Sequence, residues 1–263
     1  MPRFFGTPEQ QRLQQRVHER LDWTNATPGA CNPGRFLGTD DPERLGWDVV
    51  ADILEHDGFF GFRLIRASDI PEIQAKLAEL GFRIDFWDVF AAPAETVLGQ
   101  CHPIINQPLP EGLNWRSDAD LREPDKIEQV QTLISNCGVV PLYADMMCGK
   151  AVPSVLCVLE DHSGKAIAAA YGYMPHNEHS LHRNNAWGGL VAVDTEHRGQ
   201  RLGVLVNAKM AAMCVEQLGA QHLHELVSSS NDTSRRMVQR CGLVLDPHLK
   251  CGIATKGETR FTR

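Results

Sequence analysis

Val191-Ala192-Val193-Asp194-Thr195-Glu196-His197-Arg198-Gly199-Gln200-Arg201-Leu202-Gly203 decides how the chain is read. Residues 186–193 are nearly all apolar or glycine, as a strand buried on both faces would be. A short glycine-bearing loop follows. From Arg201 to Leu218 the pattern turns helical, with Leu202, Val206, Met210, Met213 and Leu218 along one face, and Gly219 is the stop signal. Such a loop aims backbone N–H groups into one concavity, and a helix N-terminus adds roughly half a positive charge. Together they make an anion site suited to a pyrophosphate. Gly199 and Gly203 let a ligand approach the backbone with no Cβ in the way, and Arg198 and Arg201 add cationic donors. No Gly-Lys-Ser/Thr follows, so this is not a P-loop, and it is not a GxGxxG fingerprint either. An ordinary strand–turn–helix corner is the other reading open at this point.

Working outward, residues 222–228 read as a further strand. Asn231-Asp232-Thr233 caps a helix that runs to Arg240 and stops at Gly242. Residues 243–245 and 252–255 supply short closing strands. Upstream, residues 124–134 form an amphipathic helix, with Pro124 and Asp125 where a first turn prefers them. Residues 155–160 and 166–173 make a hairpin about the turn Asp161-His162-Ser163-Gly164. A polar loop, 175–183, carries His176, His179 and His182.

Before residue 110 the pattern is thinner. Residues 8–21 read as a helix, and 24–38 as a Pro/Gly/Asn-rich loop that either wraps over the rest or is partly mobile. Residues 59–65 and 82–90 read as strands, joined by a helix starting at Asp69-Ile70-Pro71 and ended by Gly81. The proline-rich run 92–112 reads as a connector. The expected division is therefore an N-terminal α/β region, 1–110, and a second domain, 111–263.

The 263 residues carry a net charge of -7, with 43% hydrophobic and 22% charged side chains, which fits a folded chain with a real core. No basic excess is available to neutralise a nucleic-acid backbone, whereas an acidic surface tolerates cationic substrates such as amines. None of the eight cysteines falls in a CxxC pair, so reduced thiols in a cytoplasmic protein are expected. The first residues show no apolar h-region, and no apolar run reaches the ~20 residues of a membrane helix, so no signal peptide and no membrane are expected.

In this order of elements, residues 112–255 resemble the GNAT superfamily of acyl-CoA-dependent N-acetyltransferases. Their signature is Arg/Gln-x-x-Gly-x-Gly/Ala after a central strand. Here Arg198-Gly199-Gln200-Arg201-Leu202-Gly203 matches at Arg198 and Gly203, with Arg201 where the middle glycine usually stands. A second family motif has Asn, a small residue at plus three, Tyr at plus seven and Gly-Phe at plus eleven and twelve. Here it reads Asn231, Ser234, Val238, Gly242 and Leu243. The resemblance implies an α/β (α+β) fold: a mixed, mostly antiparallel sheet flanked by helices and splayed at two central parallel strands. It implies acetyl-CoA (coenzyme A) as co-substrate and no metal. Pantetheine would then follow Val191, Ala192 and Val193 in the splay. The pyrophosphate would sit on Arg198, Gly199, Gln200, Arg201, Leu202, Gly203 and Val204, with Asn231 and Ser234 beside the cofactor. Leu80-Gly81-Phe82 is loosely similar to the end of the second motif. The region 1–110 is thus either a degenerate first GNAT-like half or an extension that walls off the acceptor.

The implied reaction moves an acetyl (acyl) group from acetyl-CoA to a primary amine of an unidentified acceptor, by direct attack on the thioester. Strand alternation puts His224 and Glu225 on opposite faces, so one of them faces the cleft. The resemblance favours Glu225 as general base, since related enzymes often use a strand carboxylate there, and a surface carboxylate on an open strand is the other reading. Val238 stands where many members carry a Tyr acid, which motivates the rival reading: a non-catalytic acyl-CoA-binding sensor or partner protein. His176, His179 and His182 have no cysteine or paired carboxylate beside them and read as a polar flap rather than a metal site. Trp187 is either core or acceptor-pocket lining. A monomer or homodimer is expected.

Overall fold

The computed structural model describes residues 3–117 and 120–257. The N-terminal elements are α1 (Pro8–Glu19), α2 (Leu21–Ala26), β1 (Ala30–Cys31), β2 (Gly38–Thr39), α3 (Pro42–Leu45) and α4 (Trp47–Asp57). They lead into β3 (Phe59–Arg66), α5 (Ile70–Glu79), β4 (Arg83–Pro93) and α6 (Ala94–Ile105). Then come β5 (Leu113–Trp115), α7 (Pro124–Asn136), α8 (Ala144–Met147), β6 (Ser154–Asp161), β7 (Ala166–Tyr173) and β8 (Asn185–Val193). The chain closes with α9 (Leu202–Glu216), β9 (His222–Val227), α10 (Asp232–Arg240) and β10 (Val244–Thr255).

The strands form one ten-stranded, mostly antiparallel sheet in the order β1-β2-β3-β10-β4-β9-β8-β7-β6-β5. The long parallel pair is β8 with β9. Along β7, whose residues are buried on both faces, side chains alternate between two cores. Ala169, Tyr171 and Tyr173 join the cluster with Phe60, Ile127 and Ile134, while Ala168 and Ala170 join the cluster with Val206 and Met210 of α9. Helix α9 lies so close to the sheet that a Cβ on Gly188 would stand 2.6 Å from Met210 Cε, so any side chain at that step of β8 would make Met210 shift.

The splay expected from the family resemblance is present. Strands β8 and β9 pair from Asn185↔His222 to Gly188↔Glu225 and then part. Beyond that point β8 stays on β7, and β9 stays on β4 through Leu226↔Val89 and Val227↔Asp88. A bulge accompanies the parting. Between Ala169↔Ala192 and Tyr171↔Gly189, β8 carries one residue more than β7, and Leu190 takes a left-handed φ of 53°. Such an insertion bends and twists a strand.

Two expectations are corrected and one open alternative is decided. The run 92–112 is not a plain connector, because α6 occupies most of it. Val97 and Cys101, one turn apart, are buried in the same core cluster as α9, a helical stripe masked by prolines at its ends. Of the two readings of the loop 24–38, the packed one holds: residues 29–39 are all buried and contribute β1 and β2. The two short closing strands are one strand, β10, which pairs with β3 on one side and β4 on the other. Among the described residues, no helix is long and apolar enough to cross a membrane.

Both neighbours of β10 come from before residue 110, so the last strand is held by the first part of the chain. Calorimetry of the intact protein should give one transition with equal van't Hoff and calorimetric enthalpies. The fragment 111–263, with both edges of β10 open, should aggregate rather than fold. Two resolved transitions, or a soluble folded fragment, would make residue 110 a folding boundary.

Candidate functional site

Helix α9 begins without a side-chain cap. Its first-turn amides, at Leu202, Gly203 and Val204, donate to no acceptor among the described residues. Orphan amides at a helix start bind anions. They open onto a cleft of about 450 Å³ between the β8–α9 loop and α10. Arg198 and Arg201 line it from the loop, and Arg236 and Arg240 from α10. None of the four makes an ion pair among the described residues. At Gly203 an added Cβ would meet nothing nearer than Met237 Sδ at 3.6 Å, so the fold itself tolerates a side chain there. Arg201 adopts φ 62° and ψ 14°, the left-handed conformation that the missing glycine would take without strain.

A second cavity, of about 260 Å³, fills the splay. It shares Val191, Ser234 and Met237 with the first, so one path runs from the α9 N-terminus to the point where β8 and β9 part. Glu225 stands at that point and is only 3% exposed. Its Oε1 accepts from Asn207 Nδ2 at 2.8 Å, and Asn207 itself is fully buried in α9. Burial pushes the Glu225 carboxyl up to about 7, against the pull of that hydrogen bond. His224, the next residue on the strand, lies on the other side with its ring 6.0 Å from that of His176. Burial holds its pKa well below the usual histidine range, so it is neutral.

The sequence-derived residues distribute as follows. Val191, Val193, Arg198, Gly199, Arg201, Leu202, Gly203, Val204 and Ser234 share the first cleft. Ala192 turns to the opposite core and is 2% exposed, and Gln200 lines a neighbouring cleft beside α6. Asn231 lines the splay cavity and caps α10, its Oδ1 accepting from Ser234 N at 3.0 Å. Trp187 lines the splay cavity, and Val238 lines it from the core, fully buried. Sequence reasoning missed Arg236 and Arg240, which stand four apart and so share one face of a helix whose start it had read. It also missed Asn207, Arg35 and Arg63, for which no local signal exists.

His176 and His182 come together, with ring centroids 5.4 Å apart, while His179 is not part of that contact. Cys31, Asp40 and His176 place one potential ligand atom each within 4.8 Å of one another. Asp40 Oδ2 already takes hydrogen bonds from His176 Nδ1 at 2.5 Å and Ser180 Oγ at 2.6 Å. The group is thus closed on itself, and with three donors it falls short of a structural zinc set.

Residues 122–243 match the model of the acetyltransferase (GNAT) family. No curated protein matches the sequence. Among solved structures, the chain is similar to a GCN5-related N-acetyltransferase from Kribbella flavida at 14% identity and a TM-score of 0.59, covering 95% of this chain and 98% of that one. A Drosophila protein is similar at 13% identity and a TM-score of 0.57, over 95% and 90% of the two chains. A tandem GNAT protein from the clavulanic acid biosynthesis pathway is similar at 12% identity and a TM-score of 0.54, over 93% and 89%. At these identities the likeness is one of fold.

The strain at Arg201 can be measured. A left-handed non-glycine residue costs about 1–2 kcal/mol, part of which glycine returns through the greater freedom of its unfolded chain. Arg201→Gly should therefore raise the melting temperature by about 2 °C. A lower melting temperature would mean that the arginine side chain holds the loop through contacts worth more than the strain.

Proposed function

From the match of residues 122–243 to the acetyltransferase (GNAT) family model, we propose that the protein transfers an acetyl (acyl) group from acetyl-CoA to a primary amine. The observation that carries the reading is the single path from uncapped amides and unpaired arginines to a buried carboxyl with a pKa near 7. GNAT-family acyl transfer supplies the general chemistry; the donor, the acceptor class and the residue roles are our assignment.

When bound, acetyl-CoA supplies the acyl thioester. The remaining roles fall to this chain. The α9 amides at 202–204, with Arg198, Arg201, Arg236 and Arg240, hold phosphate oxygens by charge-assisted hydrogen bonds. The edge of β8 at Val191, Ala192 and Val193, released from β9, is free to pair with an extended pantetheine, with Asn231 and Ser234 alongside. Glu225 accepts the proton that an amine must lose on acylation, and a carboxylate poised near neutral pH suits that task. Asn207 is a positioning residue that fixes the carboxylate orientation. No tyrosine stands at Val238, and a thiol with pKa near ~8.5 leaves without a donor.

Residues 111–263 carry the cofactor in this reading. Residues 1–110 contribute the acceptor side in this reading, since Arg35, Arg63 and Trp87 are among the residues lining the splay cavity. Eight free cysteines fit a reducing, cytoplasmic setting. The rival, a binding protein without catalysis, has Val238 in its favour and predicts CoA binding with no thiol release on any amine.

Two measurements test the assignment. Gly203→Glu places a carboxylate where phosphate would lie, at a position where the added Cβ meets nothing closer than 3.6 Å. CoA should weaken tenfold or more, about 1.4 kcal/mol, and unchanged affinity in the folded variant would remove the phosphate site. For Glu225, the deprotonated carboxylate is the active form, so kcat/KM should rise with pH through about 7 and then level off. Glu225→Gln should lose that limb together with ~100-fold or more in rate. A variant that keeps both limb and rate would take the base role from Glu225.

A further inference from the structure

The splay cavity is lined by two arginines that acyl transfer alone does not require. Arg35 lies between β1 and β2, and Arg63 lies in β3. Arg35 is 9% exposed and Arg63 is 4% exposed. Their partners are neutral: Arg35 Nε donates to Val140 O at 2.7 Å, Arg63 Nη2 donates to Pro33 O at 3.3 Å, and Arg63 also meets the Cys251 thiol. Arg63 Nε is buried without an acceptor, and so is the indole N–H of Trp187, which lines the same cavity. Neither arginine makes an ion pair among the described residues. Asp40, whose charge acts with that of Arg63 on the Cys31 thiol, is held by His176 and Ser180. The two guanidiniums also repel each other: burial and Arg63 bring Arg35 down to about 10, which leaves it charged at neutral pH.

Buried cations are normally paired, because removal from water is costly and an opposite charge offsets it. Here two stand together in a chain whose net charge is -7, lining a cavity whose other lining includes Glu225. An anion seated between them would take up the unused N–H groups and relieve the repulsion. Guanidinium groups match the two oxygens of a carboxylate in a planar fork. We propose that the acceptor is a small amine bearing a carboxylate, whose anionic end is gripped by Arg35 and Arg63 while its amino group meets Glu225. The proposal rests on the acyl-transfer reading above and names its substrate class. In the step itself the amine nitrogen bonds to the acyl carbon, the carbon–sulfur bond breaks with its electron pair going to sulfur, and the amine proton passes to Glu225. The carboxylate takes no part in the bond changes and serves to orient.

Product mimics separate binding from turnover. Calorimetric titration of the intact protein with N-acetylglycine, N-acetyl-β-alanine and N-acetylglutamate, beside the uncharged N-methylacetamide, reads the anion site directly. At least one carboxylate should bind tenfold or more tighter than N-methylacetamide. In Arg35→Met and Arg63→Met that difference should vanish while CoA affinity is kept, and Arg63→Lys should restore part of it. N-acetylaminomethylphosphonate binding tighter still would assign the site to a phosphate-type anion and overturn the carboxylate. Equal binding of charged and neutral mimics to the unmodified protein overturns the proposal with no variant needed. Thiol release is then compared for glycine, β-alanine and glutamate against methylamine and ethylamine. Turnover as fast on the plain amines overturns the proposal and leaves acyl transfer standing. Carboxylate-selective binding without thiol release on any amine keeps the anion site and removes the acyl-transfer reading.

Discussion

Two parallel strands can part only if each is held by its other neighbour. In this protein β8 is held by β7, and β9 is held by β4, so the gap beyond Gly188 and Glu225 stays open without an unpaired ribbon on either side. The site follows from that division of hydrogen bonds. The bulge at Leu190 turns β8 away, the freed backbone edge at 191–193 becomes available, and Glu225 is left at the vertex, buried yet bordering a cavity. The helix that starts beyond the loop then directs its orphan amides into the same opening. A carboxyl raised to about 7 is a consequence of where the strands separate rather than of a charged neighbour, since burial is its leading cause.

Charge is distributed against the overall balance. The chain is acidic, yet four arginines face one cleft and two more face the cavity behind it, all without carboxylate partners among the described residues. Unpaired surface arginines on α10 cost little, because water solvates them. Arg35 and Arg63 are another matter, since both are desolvated. Arg201 adds backbone strain at the same place. Backbone strain and unpaired cations thus fall along the path from the α9 N-terminus to the splay, where departures from local folding rules mark a site.

How much of this was legible in the sequence depends on distance along the chain. The strand–loop–helix corner, the Asn231 cap and the opposite faces of His224 and Glu225 are local features, set by period and capping chemistry, and they could be read directly. Helix α6 could not, because Pro93 and Pro103 are the usual marks of irregular chain and the Val97–Cys101 stripe between them is short. For the buried run 29–39, packed and mobile readings stayed open because its glycines, prolines and asparagines give no periodicity; it is fixed by long-range bonds, such as Tyr173 Oη donating to Asn32 O and Asn177 Nδ2 donating to Ala30 O. Arg35 and Arg63 reach the cavity only because β10 returns to lie against β3, a pairing of residues nearly two hundred positions apart.

That return has a bearing on how the protein is made. Residues 244–255 fill the place between β3 and β4, and they are made after every other strand of the sheet. Until then β3 and β4 wait with open edges, and β9 has only a half-built neighbour to lean on. Nascent chains therefore hold a sheet in two unfinished pieces, exposed to chaperones and to each other. A translation product cut short before β10 would contain every cofactor-cleft residue named above and still lack the strand that holds them in one sheet.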